Sequence, residues 1–164
     1  MPEKVTYITY GKESFDINEF YREKPIKPLP MKPSIGLWAS RIDAEFGWKD
    51  WCESEEYGNL TCNFTFQLSD DAKIKEVHCE EDILDYIIPD PLFSGLRLSR
   101  LSLFDTCKTS MSNGIDFEKL KSEGYDALEL FISDNYSTLH LGVFNTWDCD
   151  SIVIWNPEII IIIL

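Results

Sequence analysis

Three tryptophans, Trp38, Trp48 and Trp51, fall within fourteen residues of the stretch Lys32–Glu53, KPSIGLWASRIDAEFGWKDWCE. An indole offers a large contact area at little cost in side-chain entropy, and one N–H that needs a partner when buried. Beside Gly36, Ser40, Arg41 and Gly47, the three rings suit a lined cleft that grips something flat. The same residues also suit a local aromatic mini-core beneath a long loop. The second stretch with chemistry in it is Trp147–Glu158, WDCDSIVIWNPE. Asp148 and Asp150 stand two apart, so on a strand their carboxylates point the same way, at the entrance to an apolar run. Carboxylates so held are placed to work at a cleft rim. They are also what a strand end shows where it meets solvent.

Other chemistries find little support. The chain has no G-x-S-x-G, P-loop, G-x-G-x-x-G or H-E-x-x-H pattern. Its two histidines, His78 and His140, have nothing beside them that marks a nucleophile pair and are read as structural. The five cysteines, Cys52, Cys62, Cys79, Cys107 and Cys149, are odd in number and include no CxxC spacing. Neither a disulfide framework nor a metal site is expected. The N-x-S/T sequences at Asn59, Asn63 and Asn135 are read as chance matches.

At 164 residues the chain is expected to form one globular domain over residues 1–164 with a substantial core. It carries 15 basic and 29 acidic residues, a formal charge of −14. Such a surface repels nucleic-acid backbones and anionic membranes, and suits docking on a basic partner or simple solubility. The N-terminal residues MPEKVTYITYG hold no apolar signal region, and the final run Ile159–Leu164 is far shorter than the ~20 residues a bilayer needs. A cytoplasmic protein is expected. That β-branched run reads as a buried strand with both faces covered, or one covered by a partner.

The elements that must position these residues are short. Strands are expected at Val5–Tyr10, Ile35–Ser40, Cys62–Leu68, Lys73–Val77, Ala127–Ile132, Leu139–Phe144 and Ser151–Trp155. Helices are expected at Ala44–Glu56, with Asp43 as N-cap, at Glu80–Ile87 and at Asp116–Ser122. Residues 22–34, with four prolines, read as an extended loop, Phe15–Phe20 as an irregular stretch, and Pro89–Asn113 as irregular. With no βαβ rhythm, the class is α+β.

The order of these pieces resembles the ADP-ribosyltransferase-like superfamily. The residues that carry the resemblance are Thr9-Tyr10-Gly11 at the end of the first strand, then Trp38-Ala39-Ser40. The third is Asp148–Ser151, ahead of the strand Ile152–Pro157. The stretches KPSIGLWAS, GWKDWC and WDCDSIVIWNP also resemble small uncharacterised proteins of bacterial and phage genomes. The resemblance implies a compact split β-sheet core of about six to eight short strands with a few short helices. It further implies NAD as cofactor and transfer of ADP-ribose to a macromolecular target. Thr9, Tyr10, Gly11, Trp38 and Arg41 would then contact the cofactor, and Asp150, Asp148 and Ser40 would be catalytic. Thr9 stands where the superfamily has His or Arg, and the final motif offers Asp where it has Glu.

A second function fits the same fold: a non-catalytic acidic interaction protein. A phage-encoded, anti-CRISPR-like inhibitor of a host-defence nucleoprotein is one such protein. A housekeeping domain of unrelated α+β fold is a third reading. The enzyme requires Trp38, Ser40 and a carboxylate of residues 148–150 to converge on one pocket. The inhibitor requires Glu53, Glu55, Glu56, Asp70, Asp71, Glu80, Glu81 and Asp82 to gather on one face.

Overall fold

β-Branched and aromatic residues in alternation favour half-buried strands. A computed structural model describes residues 4–22, 32, 33, 35–90 and 112–163, and among these nine strands form. Seven make one mixed sheet: β1 (Tyr7–Tyr10), β2 (Leu37–Arg41), β3 (Asn63–Leu68), β4 (Ile74–Val77), β7 (Ala127–Leu130), β8 (Ser151–Ile154) and β9 (Ile160–Ile162), in the order β4-β7-β8-β2-β1-β3-β9. Only β4 and β7 run parallel. The other two strands, β5 (Ile87–Pro89) and β6 (Ser112–Ile115), form a separate antiparallel pair. Among the described residues four short α-helices join them: α1 (Ile17–Arg22), α2 (Trp48–Ser54), α3 (Phe117–Ser122) and α4 (Tyr136–Leu141). The class is α+β.

Alternation along the central strands gives the sheet two apolar faces. Leu128, Leu130 and Val153 join Phe117, Leu120, Phe144 and Trp147 on one side. Ala127, Ile152 and Ile154 join Tyr7, Phe20, Leu37 and Phe66 on the other. Each aliphatic side chain fully buried this way stabilises by about 1.5–3 kcal/mol.

The sheet loosens at one place. β1 and β2 pair only at Tyr7↔Arg41 and Ile8↔Ser40. Beyond that the ladder stops, and the Thr9 hydroxyl donates to the Trp38 carbonyl at 3.0 Å instead. Gly11, at φ 90°, then turns the chain out of β1. The candidate site lies beside this break.

Several expected elements form differently. Helix α2 starts at Trp48 rather than Ala44, because Gly47 and not Asp43 precedes its first turn. The Gly47 N–H donates to the Asp50 carboxylate at 2.8 Å, which fixes that start. Gly47 is also where the helix meets β2: a Cβ there would lie 3.2 Å from that of Ser40. Glu80–Ile87 is two 3-10 turns, Glu80–Asp82 and Leu84–Tyr86, running into β5. Phe15–Phe20 leads into α1, where Phe20 is buried. Leu139–Phe144, expected as a strand, begins inside α4 and continues as turns, because Leu139, Val143 and Phe144 fill the core at helical spacing. The terminal isoleucines form an edge strand rather than a covered one. β9 pairs with β3 alone, and Ile161, Ile162 and Ile163 are 44%, 41% and 40% exposed. The stretch Pro89–Asn113, expected to be irregular, is strand at its described ends, Pro89 in β5 and Ser112 and Asn113 in β6, while its residues 91–111 and most of the proline-rich loop lie outside the described residues.

Candidate functional site

β2 presents Trp38 and Ser40 on the same face as Ile8 and Tyr10 of β1. Helix α2 enters above them, and the segment 146–151 closes the far side. Between them lies a cleft of about 320 Å³ walled by Tyr10, Trp38, Trp48 and Trp147, with Asp148 and Lys32 on its lining. Trp38 rests edge-on against Trp147 at 4.6 Å, and Trp147 in turn against Phe144 at 5.4 Å, so this wall is anchored in the core. The Lys32 ammonium sits 5.4 Å from the Trp38 ring centre. A cavity of about 180 Å³, lined by Thr9 and Lys12, adjoins the cleft and shares Tyr10 and Trp38 with it.

Ser40 holds the site together. Its buried hydroxyl donates to the Asp150 carbonyl at 2.7 Å and accepts from the Trp48 N–H at 2.9 Å. One oxygen thereby ties β2, the first turn of α2 and the entrance to β8. With both bonds made, Ser40 positions the wall.

Asp148 and Asp150 part company. They lie ahead of β8 rather than on it, so strand alternation does not govern them. Asp148 is half-buried and lines the cleft. Asp150 is buried and lines a different cavity. Its Oδ1 accepts from the Ser133 N–H at 2.9 Å, and its Oδ2 from the Ser133 hydroxyl at 2.9 Å and the Phe46 N–H at 3.4 Å. The Asp150 N–H donates back to the Phe46 carbonyl at 2.9 Å. This carboxylate clamps two loops to the sheet.

Arg41, one residue past Ser40, is turned away to the buried Glu129. The guanidinium makes a bidentate pair with that carboxylate, Nε–Oε1 and Nη2–Oε2 both at 2.7 Å. The Tyr7 hydroxyl donates to Oε2 at 3.2 Å. Burial first, and then the Glu129 charge, hold the Tyr7 phenol above its ordinary range. The hydrogen bond to Glu129 raises Arg41 further still. Arg41 does not line the cleft, nor do Thr9 and Gly11.

Of the sequence-derived residues, Tyr10, Trp38, Ser40, Trp48 and Asp148 meet at one cleft. Trp51 does not: it stacks behind Trp48 at 4.9 Å. Its expected place is taken by Trp147, from the other end of the chain. The clustering of aromatic residues at positions 38–51 carried no signal for that ring. Cys149 also lines the cleft, but burial pushes its thiol up to about 12, so it stays protonated at neutral pH. Among the described residues no group of three His, Cys, Asp or Glu side chains is arranged to hold a metal ion, and no helix is long and apolar enough to cross a membrane. No protein-family model, curated protein or solved structure matches the chain.

Proposed function

We propose that the chain is an ADP-ribosyltransferase-like protein that takes NAD in the tryptophan cleft and transfers ADP-ribose to a macromolecular target. One observation carries the reading. Tyr10 of β1, Trp38 of β2, Trp48 of α2 and Asp148 ahead of β8 come from four separated segments and wall a single cleft.

The cleft residues suit the chemistry. Aromatic walls favour a flat cation such as the pyridinium of NAD. Lys32, with Lys12 in the adjoining cavity, supplies positive charge for the phosphates. In the transfer, the bond from ribose carbon to pyridinium nitrogen breaks, and its electron pair leaves with nicotinamide. A lone pair of the target nucleophile forms the new bond to that carbon. Asp148 is the carboxylate on hand to stabilise the positive charge developing on the ribose and to accept the proton the nucleophile gives up. Asp150 and Ser40 act one step back, by fixing the segment that presents Asp148.

The test is saturation-transfer NMR with NAD, using Trp38→Ala as control. Binding by the wild type that the control loses places NAD against the tryptophan wall, and transfer to candidate targets is then assayed with labelled NAD. Absence of binding at millimolar NAD retires the transferase.

A second reading has its own observation. Thr9, where the superfamily has His or Arg, turns its hydroxyl to the Trp38 carbonyl, so the first motif offers the cleft no side chain but Tyr10, and Arg41 is held by Glu129. A site without that anchor fits an acidic interaction protein on the same fold, such as a phage-encoded inhibitor of a host-defence nucleoprotein. The acidic residues named for that role do not all face outward: Glu80 is buried, and Asp82 accepts the His78 and Cys79 N–H groups.

A further inference from the structure

Past Trp48 the cleft meets a further cavity of about 310 Å³, which shares Ile8, Tyr10, Ser40 and Trp48 with it and reaches Arg41, Ile42, Lys49 and Asp50. On the outer side, Trp48 and Trp51 are stacked, and Tyr57 meets both nearly edge-on, at 6.2 and 5.4 Å. Tyr57 is 58% exposed and Ile42 57%. Tyr57 is held in place from both sides. Its N–H donates to the Cys52 carbonyl at 2.9 Å, and its neighbours Glu56 (φ 51°) and Gly58 (φ 79°) are both left-handed. A left-handed glutamate is uncommon. The result is an aromatic ledge at the surface, continuous with the cleft through Trp48.

The exposed charge on the segment that carries the ledge is mostly of one sign. From Ile42 to Tyr57 the exposed ionisable side chains are Asp43, Glu45, Lys49, Asp50, Glu53, Glu55 and Glu56. Lys49 lies 3.7 Å from Glu53. A nucleic acid could stack bases on the rings but would bring its phosphates against the carboxylates. A second copy of the chain would bring the same negative charge. A guanidinium satisfies both halves of the surface, because it stacks on aromatic faces and pairs with carboxylates. The fold already uses that combination internally, where Arg41 lies 4.7 Å from the Phe131 ring centre while paired to Glu129.

We infer that the Trp48–Trp51–Tyr57 ledge docks an arginine-bearing basic segment of a partner protein. The docking stands independently of what the cleft does. It rests on the transferase reading only in naming that segment as the approach of the target to the cleft.

The experiment is anisotropy at low ionic strength with a fluorescein-labelled Arg-Gly-Arg-Gly-Arg-Gly-Arg peptide and its lysine counterpart. The wild type binds the arginine peptide more tightly than the lysine one. Glu53→Gln/Glu55→Gln/Glu56→Gln weakens binding at least about tenfold, and Tyr57→Ala weakens it in the same direction. Glu19→Gln/Asp85→Asn/Glu118→Gln, with the same net charge, leaves it unchanged. An equal loss in that control set reduces the effect to net charge and overturns the inference. So does a Tyr57→Ala protein that binds like the wild type, or a wild type that does not bind. NAD titrations on the same proteins separate the two questions. Peptide binding without NAD binding sustains the ledge and removes the transferase, and NAD binding without peptide binding does the reverse.

Discussion

The Ser40 hydroxyl donates to the Asp150 carbonyl at 2.7 Å, a contact across 110 residues of chain. It joins the two segments in which the sequence concentrates its chemistry, and it does so through a main-chain oxygen. The Asp150 carboxylate is thereby left to Ser133 and Phe46, and Asp148 to the cleft. Two aspartates two positions apart thus have separable consequences.

Asp150→Asn replaces one acceptor oxygen with an amide donor facing N–H and O–H groups. It is expected to destabilise the fold by about 1–3 kcal/mol, the cost of leaving buried polar groups unsatisfied. Asp148→Asn is expected to leave stability within about 0.5 kcal/mol and to abolish transfer. Urea unfolding and labelled-NAD assays on both variants check this. Equal stability of the two proteins would contradict the clamp assigned to Asp150.

The Arg41–Glu129 pair is a second structural device. Arg41→Met leaves the Glu129 carboxylate with Tyr7 as its remaining close partner. A loss of about 1–3 kcal/mol is expected from stranding the buried Glu129 carboxylate, below the figure for a fully buried pair because Arg41 is partly exposed. Arg41→Met combined with Glu129→Leu should recover most of it. A double-mutant cycle in urea measures the coupling, and a single variant as stable as the wild type would show the pair to be idle.

Alkaline pH should weaken the fold through two protonated groups. Cys149 is pushed up from 9.0 to about 12, chiefly by burial, and Tyr7 is raised in the same direction. The folded state keeps protons that the unfolded chain releases. The stabilisation is therefore fully present below about pH 9 and is lost as pH rises toward 12. Urea midpoints should hold level from pH 7 to about 9 and then fall. Cys149→Ala should delay the onset of that fall, and an unchanged profile in this variant would remove Cys149 as its source.

If the cleft binds NAD through ring charge, the oxidised form is preferred. NAD with its charged pyridinium is expected to bind about two- to thirtyfold more tightly than the reduced form, the equivalent of the ~0.5–2 kcal/mol range of cation–π contacts. Competition in saturation-transfer NMR reads the ratio directly. Equal affinities would mean that Trp38, Trp48 and Asp148 do not sense that charge.

What the sequence determined by itself was local. The alternation of NFTFQL makes β3, and the DFEKLKS stretch makes α3, where the Asp116 side chain accepts the Lys119 N–H at 2.9 Å as its N-cap. The aromatic density around Trp38 and Trp48 and the carboxylate at Asp148 marked a cleft that does form. These follow from period, capping and residue type, which act over a few residues. Tertiary structure decided the rest. Leu139–Phe144 is apolar enough for a strand, and only packing against the sheet makes it helix and turn. Trp51 or Trp147 could have completed the cleft, and the choice fell to which one the core could anchor. Asp148 and Asp150 have the same side chain, and long-range partners alone, Ser133 and Phe46, turn one inward and leave the other facing the cleft.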